Sequence, residues 1–246
     1  MASPIIKVLD TESDVSKQLC QLVITRANLA VKEKGIFTIG LSGGSAAKML
    51  CAALPEATTD WSKWRVFFCD ERHVPFDNPE CTFSFYKNNL MSKVPLSDEH
   101  IFPLNPNVTV AEAADLYIEK LRSVFPGNSL PRFDLLVLGM GPDGHTCSLF
   151  PGHPLLNETS RITAAISDSP KPPPCRVTLT YPVINNAACA VFASCGAAKA
   201  DIVQQVLEGK SEEPLPAARV KPTNGEVIWI LDKGAAAKLT SANQKL

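Results

Sequence analysis

Short apolar runs alternate along the chain with stretches whose apolar residues recur at helical spacing. Near-continuous apolar runs are typical of strands that are buried on both faces of a sheet. Such runs predict strands at 5–9, 36–39, 65–69, 134–139, 162–166, 177–180, 191–194 and 227–231. Helical spacing predicts a helix around 15–27 that stops at Gly35, and further helices at 46–54, at 114–124 after the segment 105–109, and at 197–207.

This alternation predicts a doubly wound α/β fold. Strands that alternate with helices form a mostly parallel sheet with helices on both faces, as in Rossmann-like proteins. A chain of 246 residues suits one such domain, so we expect residues 1–246 to form a single domain. The proline run at 171–174 is expected to be a stiff surface loop, because proline fits neither a helix interior nor a central strand.

Composition narrows the function classes. Lys and Arg number 24 against 25 Asp and Glu, and this balance excludes the basic excess that nucleic acids or anionic membranes require. No apolar run approaches the ~20 residues of a membrane span, and the first seven residues lack the layout of a signal peptide. Eight cysteines without a C-x-x-C pair indicate reduced thiols. We therefore expect a cytoplasmic protein, and a monomer.

Ligands of open α/β sheets bind beyond the carboxyl ends of the strands, so the segments that follow strands carry the information about function. The first is the turn formed by Ser42, Gly43, Gly44 and Ser45. Its glycines let backbone N–H groups approach an anion, and the following helix N-terminus favours negative charge. The alternative is an ordinary tight turn with Ser45 as the helix N-cap.

The second segment sets Asp70 and Glu71 beside Arg72 at the end of a strand. Arg72 can bind a phosphate with two nitrogens or stabilise negative charge that develops on oxygen. The alternative is a surface ion-pair cluster of little energetic value. Lys199, at the start of a helix, is a further candidate for a phosphate site, although a solvated lysine is the simpler reading of that residue alone.

The third segment is glycine-rich and carries His145 two residues after Asp143. A neutral imidazole in this position can take a proton from water near neutral pH. A histidine of no function on a loop is the alternative. The four histidines are too dispersed to specify a metal site, and we expect neither a metal nor an organic cofactor.

Two motif matches are rejected. Gly40 to Gly44 fits the G-x-S-x-G nucleophile elbow, but the last histidine of the chain is His153, whereas that motif requires a late histidine. Gly139 to Gly144 fits the dinucleotide fingerprint, but Pro151 would end the helix that this motif must open. The residues therefore favour an enzyme or binding protein for a small phosphorylated metabolite.

Five stretches in order resemble the 6-phosphogluconolactonase family. They are Leu41–Ser45, Phe68–Pro75, Gly139–Pro151, Ser167–Pro173 leading into Arg176–Thr180, and Gly196–Lys199. The resemblance implies a fold similar to that of sugar-phosphate isomerases and glucosamine-6-phosphate deaminases. It also implies hydrolysis of 6-phosphogluconolactone in the oxidative pentose phosphate pathway.

The resemblance together with the chemistry assigns roles to the candidates. His145 would remove a proton from water and return it to the ring oxygen, while Asp143 orients the imidazole. Arg72 and Lys199 would hold the 6-phosphate near the 42–45 turn, and Arg176 is a further candidate for this contact. Asp70 would bind sugar hydroxyls or fix Arg72. Backbone N–H groups at Gly43, Gly44 or Gly141 would hold the oxyanion.

Three alternatives remain open. A sugar-phosphate isomerase or deaminase would act on an open-chain sugar and would release ammonia from glucosamine 6-phosphate. A sugar-phosphate sensor would bind 6-phosphogluconate without turnover. A dehydrogenase would bind NADP.

Overall fold

The computed structural model describes residues 3–240, which contain nine strands and six α-helices. The strands are Ile5–Leu9 (β1), Phe37–Leu41 (β2), Trp64–Phe68 (β3), Asp70–Arg72 (β4), Leu135–Leu138 (β5), Thr163–Ile166 (β6), Arg176–Leu179 (β7), Cys189–Ser194 (β8) and Glu226–Asp232 (β9). The α-helices are Glu12–Lys34 (α1), Ser45–Ala53 (α2), Thr82–Asn89 (α3), Val110–Val124 (α4), Tyr181–Ile184 (α5) and Ala200–Glu208 (α6).

Six of the strands form one parallel sheet in the order β1-β9-β8-β5-β2-β3. The chain runs outward from β2 to β3 at one edge and then returns to the other side of β2 with β5. The strand order therefore reverses between β2 and β5, and a crevice is expected where the carboxyl ends of these two strands diverge. This architecture confirms the doubly wound α/β prediction.

Side-chain alternation along the strands divides the core between the two faces of the sheet. In β5, Leu135 and Val137 pack into the core on the side of α1, α2 and α3. Leu136 and Leu138 point into the opposite core, on the side of α4, α5 and α6. Both faces of the sheet are buried at β5, which explains why this strand is apolar at every position.

Part of the predicted sheet lies elsewhere. The strands predicted at 162–166 and 177–180 are β6 and β7. They belong to a separate small sheet of order β4-β7-β6, in which β7 pairs antiparallel with both β4 and β6. Cys69 joins the two sheets, because its N–H donates to Leu41 O and its carbonyl accepts from the N–H of Leu179. The strand predicted at 65–69 is β3, and β4, which follows it directly, was not predicted.

The predicted helix boundaries follow local signals. Thr11 caps α1, and Gly35 ends it with a φ of 81°, as expected for a left-handed helix stop. The stripe from 114 to 124 belongs to α4, which begins with a capping box between Thr109 and Glu112. The helix predicted at 197–207 begins as a 3₁₀ turn and becomes α6 at Ala200.

No helix between residues 3 and 240 has both the length and the apolar character to cross a membrane. All eight cysteines carry free thiols.

Candidate active site

A cleft of about 220 Å³ lies at the crevice between β2 and β5. Residues that are distant in the sequence meet in it, and they include most of the side chains selected from the sequence. The lining is Ser42, Gly43, Gly44, Ser45, Asp70, Arg72, Gly139, Met140, Gly141, His145, Cys147, Arg176 and Lys199.

The turn after β2 presents backbone N–H groups to this cleft. Gly44 is the N-cap of α2, with a φ of 84° and no side-chain cap, so the reading of Ser45 as the N-cap was wrong. The N–H groups of Gly43 and Gly44 donate a hydrogen bond to none of the described residues. The turn is anchored on both sides, since the Ser42 N–H donates to Val137 O at 3.0 Å and the Tyr86 hydroxyl donates to Ser42 O at 3.0 Å. The turn thus presents two N–H groups at a helix N-terminus, an arrangement that can bind an anion.

Ser42 itself is not arranged as a nucleophile. Its side chain is buried, and its Oγ has no hydrogen-bond partner within residues 3–240. An activated serine requires a base within hydrogen-bond distance. The geometry therefore agrees with the rejection of the nucleophile elbow.

The loop after β5 holds His145 against Asp143. The distance from His145 Nδ1 to Asp143 Oδ1 is 2.5 Å, and the His145 ring packs on Phe150 with the centroids 4.7 Å apart. Because Nδ1 donates to the carboxylate, the lone pair of the neutral ring lies on Nε2. Nε2 makes no hydrogen bond to any described residue, so this nitrogen is free to act on a ligand in the cleft.

Gly141 lies against the His145 ring in this loop. Its N–H donates to His145 O at 2.9 Å. The expectation that this N–H could hold an oxyanion was therefore wrong. A Cβ on Gly141 would lie 2.0 Å from atoms of the His145 ring, and only glycine leaves room for the imidazole. Gly144 completes the turn with a φ of 76°. The next α-helix begins only at Tyr181, which agrees with the rejection of the dinucleotide motif.

The electrostatics of the pair suit a base. Burial would raise the pKa of Asp143, but its hydrogen bonds with His145 and Lys171 lower the pKa to about 2. Burial lowers the pKa of His145 from its ordinary value, and the Lys171 charge acts in the same direction, whereas Asp143 opposes both. At neutral pH the pair is therefore a neutral imidazole beside an ionised carboxylate.

Three cationic side chains converge on the cleft from different elements. Arg72 and Arg176 are direct partners across β4 and β7, and burial and the neighbouring Arg72 charge lower the pKa of Arg176. Lys199 reaches across to donate to Met140 O at 2.8 Å, and burial lowers its pKa. The structure thus brings together the three predicted phosphate ligands.

Arg72 and Arg176 also make hydrogen bonds within the protein. Arg72 Nη1 donates to Glu80 Oε2 at 2.8 Å and to Glu80 O at 3.0 Å. Arg176 donates from Nε and Nη2 to three backbone carbonyls of the proline loop, at 3.0–3.1 Å. Each therefore keeps only part of its guanidinium for a ligand.

Asp70 is buried and lines the cleft, but it accepts from the Ser148 hydroxyl at 2.8 Å. The side chain that fixes Arg72 is Glu80, so that part of the expectation for Asp70 was wrong. Glu71 points away from the cleft and accepts the backbone N–H groups of Arg72, Thr82 and Phe83 at 2.7–2.8 Å. It ties β4 to the start of α3.

Lys171 contacts the His145–Asp143 pair but was not predicted from the sequence. Its Nζ lies 2.9 Å from Asp143 Oδ1 and 3.2 Å from His145 Nδ1. The segment is a loop, as expected, but its lysine turns inward to the candidate base. A basic residue before three prolines was the available signal, although the sequence alone gives no direction for its side chain.

Within residues 3–240, no cluster of three or more His, Cys, Asp and Glu side chains is arranged to hold a metal ion. The chemistry of the cleft comes from one imidazole–carboxylate pair, several cations and free backbone N–H groups.

A family model, curated relatives and a solved structure all relate this chain to 6-phosphogluconolactonases. The family model of glucosamine-6-phosphate isomerases/6-phosphogluconolactonase matches residues 10–229. The 6-phosphogluconolactonases of Bos taurus and Homo sapiens are 48% and 46% identical, each over 100% of this chain and 98% of the relative. The structure of 6-phosphogluconolactonase from Trypanosoma brucei superposes with a TM-score of 0.87 at 28% identity, covering 98% of this chain and 100% of the other.

A parallel sheet with a cationic cleft and a His–Asp pair at its strand-order reversal defines an α/β enzyme for a small anionic substrate. The chain belongs to the glucosamine-6-phosphate isomerase/6-phosphogluconolactonase family, and the full-length relatives group it with the 6-phosphogluconolactonases. A monomeric glucosamine-6-phosphate deaminase shares the fold with a TM-score of 0.79 at 18% identity.

Proposed function

We propose that this protein hydrolyses 6-phospho-D-glucono-1,5-lactone to 6-phospho-D-gluconate, the second step of the oxidative pentose phosphate pathway. The observation that carries the proposal is the His145–Asp143 pair, 2.5 Å apart, in the same cleft as Arg72, Arg176 and Lys199. This combination offers a base for water beside a site for a phosphate. The full-length similarity to the bovine and human enzymes supports the same reaction.

His145 is the proposed general base. A δ-lactone is already an activated ester, so water can attack it without a covalent enzyme intermediate. His145 Nε2 takes a proton from water while the water oxygen forms a bond to the lactone carbonyl carbon. A positioned base of this kind contributes about 10²–10⁴-fold to the rate.

Ring opening then returns the proton. The tetrahedral intermediate collapses, the bond from the former carbonyl carbon to the ring oxygen breaks, and the imidazolium donates its proton to that oxygen. The product is a carboxylic acid that ionises at neutral pH. No electron transfer occurs, and no metal or organic cofactor is required by this scheme.

The remaining groups hold charge. Arg72 and Lys199 are proposed to bind the 6-phosphate, with the free part of the Arg176 guanidinium as a third donor. The N–H groups of Gly43 and Gly44 are the proposed oxyanion donors, because those of the described loop residues Ser42 and Gly141 are already used. Donors that are fixed before the reaction stabilise the developing charge without reorganisation.

The test is hydrolysis of lactone that is generated in situ and followed against its spontaneous loss. Wild type and His145→Ala are compared at the same concentration. We expect fast loss with wild type, near-background loss with the variant, and similar binding of 6-phosphogluconate by both proteins. Lys199→Ala should mainly raise KM.

The alternatives have distinct outcomes. Binding of 6-phosphogluconate without turnover would favour a sensor, and ammonia release from glucosamine 6-phosphate would favour a deaminase. Equal and fast hydrolysis by wild type and His145→Ala would retain the reaction and reject His145 as its base.

A further inference from the structure

We infer that Lys171 is a positioning residue for the general base: its ammonium group and the His145 ring bind the same oxygen of Asp143, and this fixes the carboxylate and the imidazole. The inference deepens the proposed function and rests on it. Lys171 does not need to touch the substrate for this role.

The geometry of the three groups defines how they share protons. Asp143 Oδ1 lies 2.5 Å from His145 Nδ1 and 2.9 Å from Lys171 Nζ, while the two nitrogens are 3.2 Å apart. The Lys171 ammonium group can only donate a hydrogen bond, and the ionised Asp143 carboxylate can only accept. Lys171 Nζ and His145 Nδ1 therefore both donate to Oδ1, which lies between them. The Nδ1 proton is thereby held on the carboxylate side, and the lone pair stays on Nε2.

The main chain of Lys171 is built to hold this side chain in place. Its carbonyl accepts from Ser169 Oγ at 2.8 Å and from Arg176 Nη2 at 3.0 Å. Arg176 also binds the carbonyls of Pro172 and Pro173 at 3.1 Å, and Arg176 itself is buried. The prolines restrict the backbone further. A surface loop with these constraints carries its lysine as a fixed group.

The charges around the imidazole indicate what Lys171 contributes. Asp143 lies on the same loop, Lys171 approaches from the proline loop, and Asp70 faces the ring from β4. Arg72, Arg176 and Lys199 line the rest of the cleft. Lys171 is the cation that directly contacts the pair, and its charge lowers the pKa of His145 against the opposing effect of Asp143.

Removal of this charge should therefore change the pH dependence as well as the rate. Without Lys171 the pKa of His145 rises, so a larger fraction of the base is protonated in mild acid. Above that pKa the base is neutral with or without the lysine, and the remaining loss reflects poorer orientation. A purely structural lysine would lower the rate equally at every pH.

The experiment uses the full chain as Lys171→Met, Lys171→Arg and wild type, with Lys210→Met as the control. Lys210 is exposed and lies outside the cleft lining, so its substitution removes one positive charge without touching the pair. kcat and KM for the lactone are measured from about pH 5.5 to 8, where both protonation states of a histidine are sampled. NMR titration of the imidazole signals, with His145→Gln used for assignment, gives the pKa of His145 without turnover.

We expect Lys171→Met to lower kcat roughly tenfold below neutral pH and less above it, with KM changed by less than about twofold. The His145 titration should move to higher pH, Lys171→Arg should restore most of both properties, and Lys210→Met should match wild type. A thermal unfolding curve for each variant identifies any loss of folded protein.

An unchanged titration of His145 in Lys171→Met would overturn the inference, as would a rise in KM with normal kcat, which indicates a substrate contact. If wild type does not hydrolyse the lactone, the proposed function fails, while the NMR titration still shows whether Lys171 acts on the Asp143–His145 pair.

Discussion

The imidazole of His145 sits over a residue that has no side chain. A Cβ on Gly141 would lie 2.0 Å from the ring atoms Cε1 and Nδ1 and 2.8 Å from Asp143 Oδ1. No real contact is that short, so the ring or the loop must move. An alanine here should damage the base more than its small size suggests, because about 1 Å of misplacement can cost roughly 10²-fold in rate.

We therefore predict that Gly141→Ala lowers kcat by about 10²-fold and leaves KM within a few fold, because the cations that bind the phosphate are not displaced. Steady-state kinetics on Gly141→Ala and wild type check the prediction, and a thermal unfolding curve of each protein identifies any loss of folded protein. Similar kcat values for the two proteins would show that the ring tolerates the displacement.

The Asp143 carboxylate should have an effect opposite in sign to that of Lys171. In wild type, kcat/KM should fall only below the ordinary histidine range, because burial lowers the pKa of His145. Asp143→Asn removes the charge that supports protonation, so the acid limb should move to still lower pH while kcat falls by about 10²-fold or more. A pH–rate profile of both proteins measures this. An acid limb that moves upward in Asp143→Asn would contradict the assignment.

At this scale the sequence predicted residues that combine unusual chemistry with a position after a strand. His145 and Asp143 are two residues apart, so their contact could be expected from the loop alone. Lys171 lies 26 residues after His145 and contacts the pair only because the loop at 171–174 approaches the loop after β5. The basic residue before three prolines was a signal, but a single sequence does not show which distant residues its side chain contacts.

Among the elements, the link between β4 and α3 controls how Arg72 is presented. Glu71 is buried and accepts three backbone N–H groups, two of them at the start of α3. Burial raises its pKa to about 7, against the effect of these three bonds. Glu80 holds the Arg72 guanidinium from the same connection, but its side chain is 54% exposed.

We predict that Glu71→Gln lowers the free energy of unfolding by about 1–3 kcal/mol, because the amide cannot accept all three N–H groups. KM should rise as Arg72 loses its fixed backbone. Glu80→Gln is the control, and its cost should stay below about 1 kcal/mol because its ion pair is exposed. Urea unfolding separates the two variants, and Glu80→Gln is a control for stability alone because it also alters the contact that fixes Arg72. Equal stability of both variants would refute the role of Glu71.

The apolar strands of the main sheet were predictable because two-sided burial leaves a continuous apolar run. β4 was not, since its three residues are Asp70, Glu71 and Arg72 and carry no strand pattern. It is a strand because β7 supplies its partners from a distant part of the chain. The antiparallel small sheet follows from that pairing, which a reading of local patterns could not provide.

For the whole molecule, the residues that line the cleft extend from Ser42 to Lys199 of one polypeptide. We propose that the monomer is the active unit. Specific activity should therefore stay constant on dilution across the nanomolar to micromolar range, and light scattering should give a mass near 26.6 kDa. A loss of activity on dilution would indicate that a second copy is needed.

The pairing of β1 has a consequence for vectorial synthesis. Within residues 3–240, the strand that is translated first is hydrogen-bonded only to β9, the strand that is translated last. A chain emerging from the ribosome can form the turn at 42–45, the loop at 139–145 and the site of Lys199 before β9 is available to pair with β1. Closure of the sheet should therefore wait until β9 has been translated and can enter between β8 and β1. Ribosome-bound chains halted before residue 226 should remain far more sensitive to protease than released chains.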